Sequence, residues 1–127
     1  MAGAEGIRIL LVDDNLDHAQ LALRALRAEA RVETARLGAE ALERAAEEPF
    51  DLVLLDYRLP DMTGLDVLAK LRERPDPPAV ILMSAQGSEE VAIQALKAGA
   101  AGYVVKNADF GKRLLYEVRE WMVHESR

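Results

Sequence analysis

The sequence predicts an α/β domain in which one five-stranded parallel sheet carries helices on both faces. Two observations support this prediction. Five short runs rich in Ile, Leu and Val alternate with longer segments in which apolar residues recur at helical spacing. The connections between them are short enough for strand–helix units, which join parallel strands by right-handed crossovers. We therefore expect the 127 residues to form a single domain, with its core at about residues 7–122 and no output domain.

The five strands are predicted from apolar runs that end at polar or turn residues. They cover Ile7–Val12, residues 31–35, residues 51–55, residues 79–83 and Gly102–Val105. The second run alternates and is expected at the sheet edge, whereas the third is apolar enough to be buried on both faces. Pro60 prevents the third strand from continuing, and Gly64 opens the helical segment that follows it.

Helical spacing of apolar residues predicts the segments between and after the strands. These are residues 15–28, Gly38–Glu47, a helix marked by Leu65, Leu68 and Leu71, residues 88–99, and residues 110–122. Asn15 is the expected N-cap of the first helix, and Asp17 lies favourably in its first turn. Ser88 is the expected cap of the fourth helix, which Gly99 closes.

The composition is that of a folded globular domain, since half of the residues are hydrophobic and 30% are charged. Acidic residues outnumber basic ones by 22 to 16, which disfavours direct nucleic-acid binding. The absence of cysteine excludes disulfides and thiolate metal sites. No apolar run approaches the ~20 residues of a membrane span, and no signal-peptide pattern is present. We therefore expect a cytoplasmic protein without membrane insertion.

Four of the five predicted strands end in polar side chains that could react or bind a ligand. Asp13 and Asp14 follow the first strand, Asp56 the third, Ser84 the fourth and Lys106 the fifth. Because the carboxyl ends of parallel strands share one edge of a sheet, these groups are expected to converge. The pattern therefore predicts a single site at that edge.

The residue types in this predicted site favour phosphoryl chemistry. Clustered carboxylates repel one another unless a cation offsets them, and Mg²⁺ (or Mn²⁺) takes carboxylate and phosphate oxygens as ligands. Lys106 adds a positive charge suited to a phosphoryl oxygen, and Ser84 adds a hydroxyl donor. A carboxylate nucleophile in this setting forms an aspartyl phosphate, so we interpret Asp56 as that nucleophile.

Together these residues resemble the receiver domain of bacterial response regulators. The resemblance rests on Asp13-Asp14, on Asp56 in LLDYRLPDMTG, on Ser84 in LMSAQG and on Lys106 in AAGYVVK. It implies a doubly wound, flavodoxin-like (CheY-like) sheet in the order 2-1-3-4-5. It also implies a part in two-component phosphorelay signalling, in which a sensor histidine kinase or phosphotransfer protein phosphorylates Asp56.

The resemblance assigns metal ligands as well. Asp14 and Asp56, together with the backbone carbonyl of Arg58, would bind Mg²⁺. Asp13 would act largely through a metal-bound water. A receiver of this kind catalyses its own phosphorylation and slow self-dephosphorylation but is not a turnover enzyme.

The resemblance further implies a conformational switch. Ser84 would move towards the phosphoryl group, Lys106 would neutralise it, and Tyr103 would change rotamer. The face formed by the fourth helix, fifth strand and fifth helix would then bind a downstream protein, or a second copy in a phosphorylation-dependent homodimer. Arg58 and Gln86 would border the route of the attacking water and slow loss of the phosphoryl group.

One position departs from the family pattern. Receivers usually have Pro joined by a cis bond directly after the lysine, whereas Asn107 follows Lys106 here. A cis bond before a non-proline residue costs about 2.5–4 kcal/mol, so the loop after the fifth strand is expected to differ in shape.

Other functions fit the residues less well. A receiver-fold interaction module that phosphorylation does not control, or the receiver domain of a longer hybrid kinase, stays open. A Mg²⁺-dependent phosphatase would carry its nucleophile after the first strand, and a nucleotide- or flavin-binding module would need a Gly-rich loop there. His18 and His124 lack a second ligand at metal spacing and are interpreted as surface residues.

Overall fold

A computed structural model describes residues 6–85 and 89–125, which contain a five-stranded parallel sheet. Its strands are β1 (Ile7–Val12), β2 (Ala30–Ala35), β3 (Leu52–Asp56), β4 (Ala79–Ser84) and β5 (Gly102–Val105). Their order across the sheet is β2-β1-β3-β4-β5, and each neighbouring pair is parallel. The predicted α/β class and the strand order implied by the resemblance are both confirmed.

Helices cover both faces of this sheet. They are α1 (Leu16–Leu26), α2 (Gly38–Glu47), α3 (Gly64–Arg72), α4 (Glu89–Lys97) and α5 (Phe110–Glu125). Buried residues of α1 and α5 pack on one face, and buried residues of α2, α3 and α4 pack on the other. Within the described ranges, no helix combines the length and the apolar content needed to span a membrane.

Strand β3 lies at the centre of the core, and all five of its residues are buried. Leu52 and Leu54 face the α1–α5 side, while Val53 and Leu55 face the opposite layer. Full burial of one such side chain contributes about 1.5–3 kcal/mol to stability. The strand is therefore a rigid support for Asp56, the residue with which it ends.

The strands that carry Asp56 and Ser84 extend one residue beyond the apolar runs that predict them. Asp56 is in register with Met83, and Ser84 is in register with Val105. Both polar residues are therefore part of the sheet rather than of the loops behind it. Strand pairing fixes their backbone positions and directs their side chains reproducibly.

Local signals at the helix ends are only partly confirmed. Asn15 Oδ1 accepts from the backbone N–H of His18 at 3.0 Å, which confirms the N-cap of α1. Helix α1 ends at Leu26, two residues earlier than predicted. Gly99 follows α4 with φ +103°, a left-handed conformation that favours glycine at a helix end. Ser88 lies outside the described residues.

Candidate functional site

The strand ends bring the predicted site residues together at one edge of the sheet. Asp56 and Ser84 end β3 and β4, Asp13 and Asp14 directly follow β1, and Lys106 directly follows β5. Asp13, Asp56 and Ser84 are buried, at 4%, 6% and 4% exposed. Buried polar groups need partners to offset the loss of hydration, so their contacts decide what the site can do.

Lys106 is the positive centre of the site. Its Nζ lies 2.7 Å from Asp13 Oδ2 and 3.2 Å from Asp56 Oδ1. The side chains of Lys106, Asp13 and Asp56 are 3%, 1% and 9% exposed. We call these three residues the site cluster. Two carboxylates thus share one ammonium group in a largely dehydrated setting, where charges interact more strongly than at the surface.

The pKa of Asp56 is raised to about 6 in the site cluster. Burial of the carboxyl group is the main cause, and repulsion from Asp13 adds to it. The positive charge of Lys106 and its hydrogen bond act in the opposite direction without cancelling these two effects. Asp56 therefore remains largely ionised at neutral pH, but its negative charge is only partly compensated.

The three acidic residues could hold a metal ion. Asp13, Asp14 and Asp56 each offer a carboxylate oxygen, and these oxygens lie within 4.8 Å of one another. Asp13 is held in place because its Oδ1 accepts from the backbone N–H of Asn15 at 2.9 Å. Asp14 is the most accessible of the three. A hard divalent cation fits this oxygen set and would supply the charge that Lys106 alone does not.

The loop after β3, residues 57–63, forms one wall of the site, and we call it the acceptor loop. The Tyr57 N–H donates to Met83 O at 2.7 Å, and Arg58 forms an antiparallel bridge with Thr63. Gly64 donates to Tyr57 O at 2.6 Å. A Cβ on Gly64 would lie 2.5 Å from Asp56 O, so only glycine allows α3 to begin this close to the acceptor.

The turn after Lys106 contains no cis peptide bond, and the backbone of Lys106 stays paired with β4. No cis peptide bond occurs in the described parts of the chain, which include the bond between Lys106 and Asn107. The Lys106 N–H donates to Ser84 O at 2.7 Å and so continues the pairing of β5 with β4. The side chain of Asn107 accepts from the Asp109 N–H at 3.0 Å and closes the turn before α5.

A cavity of about 430 Å³ opens over these groups. It is lined by Asp14, Asn15, His18, Asp56, Arg58, Leu59, Pro60, Ser84, Ala85 and Lys106. Acidic, basic and hydroxyl groups thus face one space that is open to solvent on one side. This space can admit a phosphoryl group next to the Asp56 carboxylate.

His18 belongs to this cavity, although the sequence analysis interpreted it as a surface residue. Its ring packs edge-on against Phe110 at 6.0 Å between centroids. Its Nδ1 is buried and has no hydrogen-bond partner within the described residues. No local sequence signal identifies His18, because its ring lies at the cavity through the contact of α1 with the start of α5.

A family model for the response regulator receiver domain matches residues 9–118. The chain belongs to this family. It is a receiver domain of two-component signalling, as the resemblance implies.

Named relatives and solved structures agree with this assignment. The receiver domain is 42% identical over 106 residues to the response regulator protein PilR of Pseudomonas aeruginosa, covering 83% of this chain and 24% of PilR. It is 38% identical over 109 residues to the transcriptional regulatory protein ZraR of Klebsiella oxytoca, covering 85% of this chain and 25% of ZraR. The chain therefore spans about a quarter of the length of these relatives.

The fold of the receiver domain is similar to that of solved receivers. The CheY-like receiver domain protein from Methanospirillum hungatei superposes with a TM-score of 0.84 at 31% identity, covering 95% of this chain and 97% of that one. The BeF3-activated DrrB receiver domain superposes with a TM-score of 0.82 at 29% identity, covering 92% and 97%.

One residue that the sequence grouped with the site, Tyr103, does not line the cavity. Tyr103 is on β5, half-buried, in register with Leu82, and packs against the core layer beneath α2, α3 and α4. Gln86 lies outside the described residues. Any coupling between Tyr103 and Asp56 must therefore pass through the residues that separate them.

Proposed function

We propose that Asp56 is the phosphoacceptor of this receiver. The observation that carries the proposal is its carboxylate, 3.2 Å from Lys106 Nζ and open to the cavity. In the reaction, an Asp56 oxygen forms a bond to phosphorus while the bond from phosphorus to the donor breaks. The donor is a phosphohistidine of a sensor kinase or phosphotransfer protein, whose nitrogen keeps the bonding electrons and regains a proton from solvent.

Lys106 and Ser84 would contact the phosphoryl group once it is attached. Both line the same cavity as Asp56. The Lys106 ammonium, which now compensates Asp13 and Asp56, is close enough to shift its contact towards a phosphoryl oxygen. The Ser84 hydroxyl would donate to another oxygen of the same group.

We further propose Mg²⁺, with Mn²⁺ as a substitute, as the cation of the acidic cluster. Asp13, Asp14 and Asp56 would hold it together with the backbone carbonyl of Arg58, and Asp13 would act largely through a bound water. The cation would neutralise charge on the phosphoryl oxygens. The partly compensated charge of Asp56 supports this choice, because a dication would reverse the rise in its pKa.

Phosphorylation would be read out on the face formed by α4, β5 and α5. This face exposes apolar side chains: Ile93, Leu96 and Tyr116 are 52%, 55% and 57% exposed. Movement of Ser84 and a rotamer change of Tyr103 would reshape it for a downstream protein or for a second copy in a homodimer. A local charge change that biases two packings of such a face is a common switch.

Trp121 offers a test of that readout. It is the single tryptophan of the chain, and it lines a groove of about 440 Å³ beside Tyr116 at the end of this face. We expect its emission to shift when beryllium fluoride and Mg²⁺ are added to the wild type but not to Asp56→Asn. Emission that stays constant while Asp56 is modified would contradict a change at this face.

The same proposal assigns control of self-dephosphorylation to Arg58 and Gln86. Arg58 lines the cavity, where its long side chain can screen Asp56 from water. Arg58→Ala should therefore shorten the lifetime of the phosphorylated protein severalfold, measured by the decay of the phosphorylated mass after the donor is removed. An unchanged lifetime would remove Arg58 from this role.

The cytoplasmic location of the protein stays a prediction.

Intact-mass analysis after acetyl phosphate treatment tests the central step. With Mg²⁺ present, the wild type should gain one phosphoryl group as the bond from phosphorus to the acetate oxygen breaks and acetate leaves. Asp56→Asn should gain none. Asp17→Asn is the matched control, because Asp17 is an exposed aspartate in the first turn of α1 and does not line the cavity.

Removal of Mg²⁺ with a chelator completes this experiment. A gain that requires Mg²⁺ would support both the phosphoacceptor and the cation. A phosphoryl gain that does not require Mg²⁺ would support Asp56 as the phosphoacceptor and contradict the proposed cation site. No gain under any condition would favour an interaction module that phosphorylation does not control.

A further inference from the structure

Helix α2 begins without a cap of its own. Its N-cap residue, Leu37, is extended and makes no side-chain cap hydrogen bond. The first N–H groups of a helix need acceptors from outside the helix. Here they come from Asp61, whose Oδ1 accepts from Gly38 N at 2.8 Å and whose Oδ2 accepts from Ala39 N at 2.9 Å. The cap thus lies 23 residues further along the chain, in the acceptor loop.

The neighbouring residue reinforces this contact. Met62 packs so closely on the start of α2 that a Cβ on Gly38 would lie 2.5 Å from its Cγ. The same Cβ would lie 2.9 Å from Val67 Cγ2 on α3. Gly38 therefore allows α2, the acceptor loop and α3 to meet without a gap, and any shift of the loop would be felt by both helices.

The Asp61 carboxylate is held in its ionised form. Hydrogen bonds from the N–H groups of Ala39 and Gly38 lower its pKa below the ordinary value for aspartate. A negative charge at a helix N-terminus also interacts favourably with the helix dipole. The contact is therefore fully formed at neutral pH, and a neutral side chain at this position would form a weaker one.

The acceptor loop is otherwise fixed mainly through its own ends. Tyr57 is bonded to Met83 and Gly64, and Arg58 pairs with Thr63. These contacts close the loop on itself and on the sheet. The Asp61 carboxylate instead ties the loop to a different helix, α2.

We propose that Asp61 is a positioning residue for the metal site. By fastening the acceptor loop to α2, it holds the Arg58 backbone carbonyl where a divalent cation can bind it together with Asp14 and Asp56. This inference rests on the proposed function, which assigns that carbonyl to the cation. Because linkage is reciprocal, cation binding should in turn tighten the start of α2.

Two pairs of variants separate positioning from helix capping. Asp61→Asn and Asp61→Ala change the side chain that joins the acceptor loop to α2. Glu40→Gln and Glu40→Ala are the matched controls, because Glu40 Oε1 accepts from Arg36 N at 2.9 Å at the same end of α2. Among the described residues, Glu40 has no hydrogen bond or ion pair with the acceptor loop. Each of these four variants removes one negative charge from the chain.

The measurement is the Kd for Mg²⁺ by calorimetry, on variants first shown to be folded by circular dichroism. Outer residues that orient metal ligands typically affect affinity by ~10–100-fold. We expect Asp61→Ala to weaken Mg²⁺ binding by about tenfold, at the low end of that range, because one carbonyl ligand is displaced. Asp61→Asn should weaken it less, since its amide oxygen can still accept one N–H. Both Glu40 variants should bind Mg²⁺ as the wild type does.

The amide resonances of Gly38 and Ala39 provide a second readout that stability alone would not move. They should shift when Mg²⁺ is added to the wild type and to Glu40→Gln, and they should not shift in Asp61→Ala. Equal Mg²⁺ affinity in the wild type and in Asp61→Ala would overturn the inference alone, as would equal losses in the Asp61 and Glu40 variants. A wild type that binds no Mg²⁺ would overturn the proposed cation site and this inference with it.

Discussion

The site cluster at the carboxyl edge of the sheet differs in burial and charge balance from a second group of charges, which lies on β1, on β2 and at the C-terminal end of α2. This second group, the surface network, consists of Arg8, Glu33, Arg44 and Glu48. Its side chains are 27%, 36%, 26% and 33% exposed, and two cations face two anions. The site cluster is nearly dry, and its one lysine faces two carboxylates.

The surface network satisfies its charges mutually. Arg8 bonds to Glu33 at 2.9 Å and also to Glu48, and Arg44 bonds to Glu33 and lies 3.5 Å from Glu48. The hydrogen bond from Arg8 lowers the pKa of Glu48, and the bonds to Glu48 and Glu33 raise that of Arg8. Each of these two groups is therefore more firmly charged in the folded domain than alone.

In the site cluster the pKa of Asp56 moves in the opposite direction, away from the charged form. Folding thus holds a carboxylate in a place that penalises its charge. The comparison indicates that the surface network stabilises the fold, whereas the site cluster leaves negative charge uncompensated, as the proposed cation site requires. Such a site should lower the free energy of unfolding of the metal-free domain.

The largest effect is expected from Lys106→Met. Removing the ammonium leaves Asp13 and Asp56 buried without their shared cation, and breaking a buried ion pair typically costs about 3–5 kcal/mol. We expect a loss of that size in the free energy of unfolding by urea at pH 7 in EDTA, partly restored by Mg²⁺. Lys97→Met, on the exposed end of α4, is the control. A loss below about 1 kcal/mol would show that the cluster is better hydrated than its burial indicates.

Asp56→Asn should stabilise the metal-free domain. The folded carboxyl has a pKa of about 6 against an ordinary value of 3.8, so the folded state binds this proton more tightly than the unfolded state. The wild type therefore loses stability as the pH rises between these two values, and the amide avoids that loss. We expect a gain of about 1–3 kcal/mol at pH 7 that shrinks towards pH 4.

Urea titrations across this pH range in EDTA would measure the difference between the two proteins. A gain that stays constant with pH would mean that the amide improves packing and that the carboxyl charge is not the cause. Mg²⁺ should abolish the gain at pH 7, because the cation stabilises the ionised wild type.

The sequence was sufficient to predict the site cluster because its members end or directly follow parallel strands. Polar residues at the ends of apolar runs, such as Asp56 and Lys106, must lie on one edge once the strands are parallel. The strand order came from the resemblance, since alternation alone leaves several orders open. The ends of β3 and β4 were missed by one residue because Asp56 and Ser84 are polar yet belong to the sheet.

His18 and Asp61 could not be recognised from local patterns. His18 reaches the cavity because α1 packs beside the start of α5, a tertiary contact that spacing does not give. Asp61 caps a helix that begins 23 residues earlier in the chain, whereas sequence signals for caps lie within a few residues of the helix they cap. Both depend on how separate elements meet.

Glu33→Gln sharpens the comparison from the side of the surface network. It removes one anion from a group whose charges are balanced and partly hydrated, so we expect a loss of at most about 1 kcal/mol in the free energy of unfolding. Raising NaCl should shrink this loss by screening, whereas the loss from Lys106→Met should change little. Similar salt dependence in both variants would contradict the distinction between them.

Arg119→Ala tests whether burial or distance decides the strength of an ion pair here. Arg119 Nη2 lies 2.6 Å from Glu29 Oε2, closer than Lys106 lies to either of its partners, but its side chain is 57% exposed. Water and salt screen such a pair, and ordering the long side chain opposes it. We expect a urea midpoint indistinguishable from that of the wild type. A loss comparable to that of Glu33→Gln would mean that short, bidentate geometry outweighs exposure. The stability cost of the site cluster would then be due to its excess of negative charge rather than to its burial.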